Sequence, residues 1–317
     1  MKKFINKLSA VVAKFSKALL NKPFVKKVIH YIKTASLPGF DKVPIYEVGV
    51  FFFKSITKSS IGIRAAATSF SILLSIFPGI VFFFTIIPYL PFPGFQDSLL
   101  QLMEDVIPSG IYSVVENVIF DIVTRPRGGL LSLGLILMFL FATNGINSLI
   151  DAFNKSIYVE ENRSKLKQRI TSLMLFLVLS VLMIIAIALL AIGPKFIKFI
   201  LQNEVVNVQY KFYYYLIYVL KWIVILALCF FTISFLYYFA PAKSTRFRFI
   251  SPGATLATIM AVVATLLFNF YLENFARYNV LYGSIGTLII VMVWINFNIT
   301  ILIIGYELNM SIKSAGK

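Results

Sequence analysis

The chain has 317 residues, of which 59% are hydrophobic and only 14% charged, with a net charge of +17. Soluble domains carry about 25% charged residues, so this composition excludes an ordinary soluble domain and predicts a polytopic membrane protein. A strong positive charge also suits nucleic acid, but here the basic residues gather on alternate loops, as topology signals do, and no nucleic-acid partner is expected.

One cysteine, Cys229, and one histidine, His30, exclude an intrachain disulfide. They also leave too few ligands for a zinc site or a Cys–His pair. Neither a metal nor a cofactor is expected.

Residues 1–44 form a basic leader. Its first 34 residues hold nine lysines and no acid. Phe4, Ile5, Leu8, Val11, Val12, Phe15 and Leu19 recur at helical spacing, and Phe24, Val25, Val28, Ile29 and Ile32 repeat the pattern after Pro23. Such helices suit the anionic head groups of a membrane face, so membrane lipids are the expected partner of the leader. No uninterrupted apolar core follows the first lysines, which argues against a signal peptide. Leu37-Pro38-Gly39-Phe40 to Pro44 reads as a turn-rich hinge. Ile45 to Ser60 is too short and lysine-rich to span, and reads as an interfacial helix.

A spanning helix needs about 20 apolar residues. Six segments qualify: Arg64–Tyr89, Leu130–Asn154, Ile170–Gly193, Phe212–Ala240, Pro252–Asn274 and Ile285–Asn309. The third is the most uniformly apolar and is expected to face lipid. Twelve lysines precede the first span. Lys155, Arg163, Lys165, Lys167 and Arg169 lie with Glu160 and Glu161 between the second and third, and Lys243, Arg246 and Arg248 with no acid between the fourth and fifth. The positive-inside rule places these loops in the cytoplasm. The expected fold is therefore all-α: six transmembrane helices plus amphipathic interfacial helices, with both termini cytoplasmic. Residues 45–310 make the membrane domain and 311–317 a short cytoplasmic tail, in a multi-pass protein of the bacterial cytoplasmic membrane.

The first outer loop, 90–129, carries an apolar helical face (Ile111, Val114, Val115, Val118, Ile119, Ile122) opposite Asp97, Glu104, Asp105, Glu116 and Asp121. This reads as a helical cap with a solvated acidic face rather than a catalytic carboxylate pair. Small residues recur every fourth position in the first span (Ala67, Ser71, Ser75, Gly79) and in the fifth (Gly253, Ala257, Ala261, Thr265), a spacing that lets helix backbones approach closely. Pro78 interrupts the first span and suits a packing kink or a gating hinge. Tyr213, Tyr214, Tyr215 and Trp222 near one end of the fourth span, and Tyr237 and Tyr238 near the other, read as interfacial belts.

The second span holds the strongest polar signal. At about 100° per residue, Thr143, Asn144, Asn147, Asp151 and Asn154 fall on one stripe, and an Asp at mid-membrane costs about 2.5–3.5 kcal/mol on insertion scales. The stripe is either the wall of a polar pathway or a set of interhelical hydrogen bonds worth about 0.6 kcal/mol each. Thr68, Ser71 and Ser75 of the first span, and Asn296 and Asn298 of the sixth, extend the polar inventory. Glu307 sits level with Asp151, and either carboxylate has Arg246, Arg248 or Lys155 as a possible partner. Glu273 and Arg277 flank the last outer turn at ion-pair spacing.

The last two spans carry an ordered pattern. Ser251-Pro252-Gly253-Ala254, Phe268-Asn269-Phe270-Tyr271, Tyr278 to Gly286 (with Tyr282 and Gly283), Trp294, and Gly305-Tyr306-Glu307-Leu308-Asn309 follow one another. With Phe77-Pro78 and Asn154-Lys155-Ser156-Ile157-Tyr158, this resembles the YihY/BrkB family of bacterial inner-membrane proteins, once labelled ribonuclease BN, over roughly residues 45–310. The resemblance implies six spans and singles out Pro252, Gly253, Tyr282, Gly283, Gly286, Trp294 and Gly305 as motif residues. The ribonuclease label finds little support in the residues. Phosphodiester hydrolysis usually needs clustered metal-binding carboxylates or a histidine in a hydrated site, and the acids here are scattered, so no catalytic residue is expected.

Two functions fit. The preferred one is transport-like, moving a small polar or lipid-like substrate through a polar cavity lined by spans one, two and six, with Asp151 and Glu307 at its cytoplasmic end. The alternative is a non-transporting scaffold for envelope assembly, or a partner-binding membrane protein.

Overall fold

In hydrocarbon no water pairs with backbone N–H and C=O groups, so long apolar runs must satisfy them internally as helices. The chain does this six times in the computed structural model, which describes residues 31, 33–89, 120–121, 124–158, 163–202, 210–242, 250–275 and 284–316. It describes no side chains for 187–202, 210–218, 221, 273–275, 284–285 and 287. The leader helices of 1–30, the acidic helix within 90–119, Arg246, Arg248, Arg277 and the motif residues Tyr282 and Gly283 lie outside the described residues, and the belt Tyr213–Tyr215 and Glu273 are among those whose side chains are not described.

The described elements are α1 (Ile45–Lys58), α2 (Ile61–Ile86), α3 (Gly128–Asn154), α4 (Lys165–Gln202), α5 (Tyr210–Phe239), α6 (Pro252–Phe275) and α7 (Ser284–Ala315), with a 3-10 turn Ile87–Tyr89 closing α2. Helices α2 to α7 are long and apolar enough to cross a membrane, and they correspond one to one with the six expected spans. No strand occurs among the described residues. The sixth span runs on past its expected end at Asn309 to Ala315. That extension has a packing reason. Ile312 is buried with Phe40, Val43 and Val48, so the hinge and α1 dock on the last turns of α7.

Each span packs on the next in sequence, and α7 returns to α2, which closes a ring of six; α1 lies outside it against α7. Contacts fix the alternating direction. Arg64 at the start of α2 bonds the carbonyl of Ala152 at the end of α3, whereas Gly134 near the start of α3 lies against Phe82 near the end of α2. One end of the ring therefore gathers the start of α2, the end of α3, the start of α4, the end of α5, the start of α6 and the end of α7. It is called the basic end below, after the loops it carries.

The core sits at that end. Ile61, Ala65, Ile150, Phe153, Leu175, Tyr237, Ala240, Ala254, Ala257, Ile303 and Tyr306 are all buried there. In the opposite half, among the described residues, only Thr85, Ile87, Gly134 and Gly286 are buried, and Phe77, Phe83, Leu133, Leu266, Phe270 and Leu288 are exposed. The exposed apolar run Val181, Met183, Ile184 and Ile185 of α4 agrees with a lipid-facing third span.

Two glycines bring α6 and α7 into backbone contact. A Cβ on Gly253 would meet the Gly305 carbonyl at 2.1 Å, and one on Gly305 would meet the Gly253 carbonyl at 2.6 Å. Ala257 completes the contact, fully buried one turn along. The small-residue row of the first span does not act this way. Ala67 is exposed and nothing lies within 4 Å of a Cβ built on Gly79, because α2 packs through the neighbouring face Ala65, Thr68, Ser69 and Leu73.

Tyr237 corrects the belt expectation. It is 1% exposed, its hydroxyl donates to the Leu302 carbonyl at 2.7 Å, and its ring packs on Phe153 and Tyr306. Tyr238, one residue on and so about 100° round the helix, is exposed as expected.

Candidate functional site

Arg64 enters the bundle in the first turn of α2, on the face that also carries Ile61, Ala65 and Thr68, all buried. A cation placed there needs an acceptor for each N–H and a counter-charge. Glu307, on α7, supplies the charge: Arg64 Nη2 meets Glu307 Oε1 at 2.5 Å, with the two side chains 5% and 0% exposed. Nη1 donates to the Ala152 carbonyl at 2.6 Å, and Nη2 also donates to Ser59 Oγ at 2.8 Å. The second carboxylate oxygen accepts from Ser55 Oγ on α1 and from Ser156 Oγ, just past α3, at 2.7 Å. One buried network thus ties α1, α2, α3 and α7 together. Arg64 Nε alone lacks an acceptor.

Beneath the network lies an aromatic plug. Phe153 of α3 stacks on Tyr306 of α7 at 4.6 Å, and Tyr237 of α5 meets both rings. Alternate members of the ring thus meet at its centre. On the outer side, Tyr158 donates to the Phe51 carbonyl at 3.0 Å. Burial, and secondarily the negative Glu307, push its phenol above the ordinary value.

The polar stripe of α3 divides between neighbours. Asn144, Asn147 and Asp151 meet the start of α4: Gln168 Nε2 donates to Asp151 Oδ1 at 2.5 Å and to Asn147 Oδ1 at 3.0 Å. Ser172 Oγ also donates to Asn147, and Arg169 to Asn144 Oδ1. Asn147 Nδ2 reaches Asp151 at 3.4 Å. Asn154 turns to the other side and accepts from the Ala242 N–H at 3.1 Å, and Thr143 bonds carbonyls of its own helix. On α2, Thr68 meets Ser148 of α3, while Ser71 and Ser75 bond their own helix, which continues through Pro78. Asn296 reaches Ser69 over a long 3.5 Å, and Asn298 bonds the Trp294 carbonyl. Trp294 also stacks on Phe268.

Of the expected site residues, Glu307 alone joins the Arg64 network, and Asp151 belongs to a separate cluster with α4. The sequence reading missed Arg64 as the partner of Glu307, and with it Ser55, Ser59 and Ser156. The available signal was a lone arginine one turn inside an apolar run, which must find a lone acid in another span. It also missed Asn309, whose Oδ1 accepts from the Gly253 N–H at 2.8 Å and whose Nδ2 donates to Ser251 Oγ at 2.9 Å, capping α6.

A ring of six long apolar helices, tied together at one end by a buried ion pair beside packed aromatic rings, defines a polytopic membrane protein. The family model described as virulence factor BrkB matches residues 52–317, and the chain belongs to that family. The chain is 33% identical to the ribonuclease-like protein YfkH of Bacillus subtilis over 78% of its own length and 88% of the relative's. It is 21% identical to the UPF0761 membrane protein NTHI0384 of Haemophilus influenzae (87% and 98%) and 23% identical to a UPF0761 membrane protein of Psychromonas ingrahamii (86% and 90%). No solved structure matches the chain. The chain is a multi-pass membrane protein, consistent with the bacterial cell membrane.

Proposed function

We propose that this protein is transport-like, moving a small polar or lipid-like substrate, and that the Arg64–Glu307 network is its closed gate at the basic end. The observation that carries this reading is a fully buried ion pair joining four helical segments in a chain otherwise poor in intramembrane charge. Ionisable residues at such positions are expensive and mark pathways and gates by default. No catalytic step is assigned, since the network holds its carboxylate against Arg64 and two serine hydroxyls.

A specific observation favours the scaffold alternative for part of the stripe: Asn147 and Asp151 are engaged by Gln168 and Ser172 and so stitch α3 to α4. Native mass spectrometry of the gently extracted protein, beside an Asn144→Ala/Asn147→Ala/Asp151→Ala variant that still folds, separates the two. A defined small ligand kept by the wild type and lost from the variant supports transport. Bulk lipid alone, equal in both, supports the scaffold.

A further inference from the structure

The seam between α3 and α4 at the basic end carries a cluster of cations with no ion-pair partner among the described residues. The first turns of α4 carry Lys165, Lys167 and Arg169, all exposed, and no acid stands in the first turn. A helix N-terminus already holds about half a positive charge, and Arg163, Lys165, Lys167 and Arg169 outnumber Glu160 and Glu161 in this stretch of sequence, which leaves it net positive. Lys155 is exposed nearby at the end of α3. The one described carboxylate in the seam, Asp151, takes its hydrogen bonds from Gln168 and Asn147. No salt bridge of Lys155, Lys165, Lys167 or Arg169 occurs among the described residues.

The surroundings say what kind of anion fits. On α3, Leu133, Ile136, Leu140 and Asn144 recur at helical spacing and all are exposed. On α4, Leu166, Ile170, Leu173 and Leu177 do the same, with Arg169 on the edge that faces α3. Two exposed apolar ladders thus run along the α3–α4 seam, and at its basic end Arg169 donates to Asn144 Oδ1. That bond uses one of the five guanidinium N–H groups. It also fixes the amide, so that the Asn144 NH2 faces away from the cation as a further donor. A soluble anion would satisfy the cation and leave the ladders without a role. A phospholipid satisfies both.

We propose that this seam is a binding site for an anionic phospholipid, its phosphate held by Arg169 and Asn144 with Lys165 beside them, and its acyl chains lying along the two ladders. The site is separate from the Arg64–Glu307 gate and from the lysines of the leader. A cation near an anionic membrane surface is worth about 1 kcal/mol, or about five-fold in affinity, and a fitted guanidinium–phosphate contact adds to that.

The test uses the full-length protein in nanodiscs containing equal phosphatidylglycerol and phosphatidylcholine, released for native mass spectrometry. Wild type, Arg169→Gln, Asn144→Ala and the control Lys58→Gln, an exposed lysine on α1, are compared. Wild type is expected to retain phosphatidylglycerol over phosphatidylcholine at least five-fold. Arg169→Gln brings that ratio close to one, Asn144→Ala lowers it less, and Lys58→Gln leaves it unchanged. An equal ratio in wild type and Arg169→Gln overturns the site, as does an equal loss in Lys58→Gln, which would mean diffuse charge. If Arg169→Gln does not fold, Asn144→Ala decides alone: an undiminished ratio there refutes the proposal.

Discussion

Replacing Glu307 by glutamine removes the negative charge that pairs with Arg64, the only such partner among the described residues, while leaving the side chain's shape almost unchanged. The carboxylate now accepts from Arg64 at one oxygen and from Ser55 and Ser156 at the other. A glutamine can turn its carbonyl to Arg64 and its NH2 to the two serines, whose hydroxyls can rotate to accept, so the hydrogen bonds survive in weaker, neutral form. The charge does not survive, and a buried guanidinium is left without a counter-ion. Breaking a buried pair costs about 3–5 kcal/mol, and we place Glu307→Gln near about 3 kcal/mol because of that partial rescue. Arg64→Met strands the carboxylate with only two serine donors and belongs near about 5 kcal/mol. The double variant Arg64→Met/Glu307→Met removes both charges, and such replacements are often neutral or stabilising. It should therefore recover at least half of the Arg64→Met loss. Equilibrium unfolding in mixed detergent micelles, run as a double-mutant cycle, measures this. Single costs below about 1 kcal/mol that simply add in the double variant would refute the pair as an energetic unit.

Other changes test the surrounding structure. Gly253→Ala should separate α6 from α7 and cost several kcal/mol in the same unfolding assay, since its Cβ would stand 2.1 Å from the Gly305 carbonyl; Gly79→Ala, with open space around it, should be neutral or stabilise by about 0.5–1 kcal/mol. Asn309→Ala leaves the buried Gly253 N–H without its acceptor while Ser251 still accepts from Ala254, and should cost about 1–3 kcal/mol, read as a lower unfolding midpoint. Tyr158 has its phenol pKa raised in the folded state, so its contribution is complete below pH 10 and is lost as pH rises through the folded value. The wild type should then lose more stability than Tyr158→Phe between pH 9 and 11, and equal slopes would count against that assignment.

The spans were legible because lipid leaves a long apolar run one solution, a helix. The α6–α7 contact was legible in part, since Gly253 and Ala257 repeat at the spacing of a packing row. The same spacing at Ala67, Ser71, Ser75 and Gly79 did not pack, because neighbouring helices choose a face by the fit of the whole surface and α2 offered Ala65 and Ser69 instead. Tyr237 shows the same limit. Its position near a helix end suits a belt, and only its rotation toward the ring centre makes it core. The Arg64–Glu307 network was the least legible part. Its two charged members stand 243 residues apart, and Ser55, Ser59 and Ser156 are ordinary polar residues until α1 and the end of α3 converge on them.

The claim that the basic end is a gate, and not a fixed joint, is tested most directly by accessibility at its centre. With Cys229 replaced by serine, Ala152→Cys places a single thiol at a site 3% exposed, beside the carbonyl that Arg64 holds. A membrane-impermeant maleimide is added to everted vesicles, and labelling is timed with Glu307 intact and with Glu307→Gln. A gate predicts slow but complete labelling of the intact protein, accelerated about ten-fold or more by Glu307→Gln while the protein stays monodisperse. A thiol that remains unlabelled in both forms would contradict the gate and leave the network as structural packing.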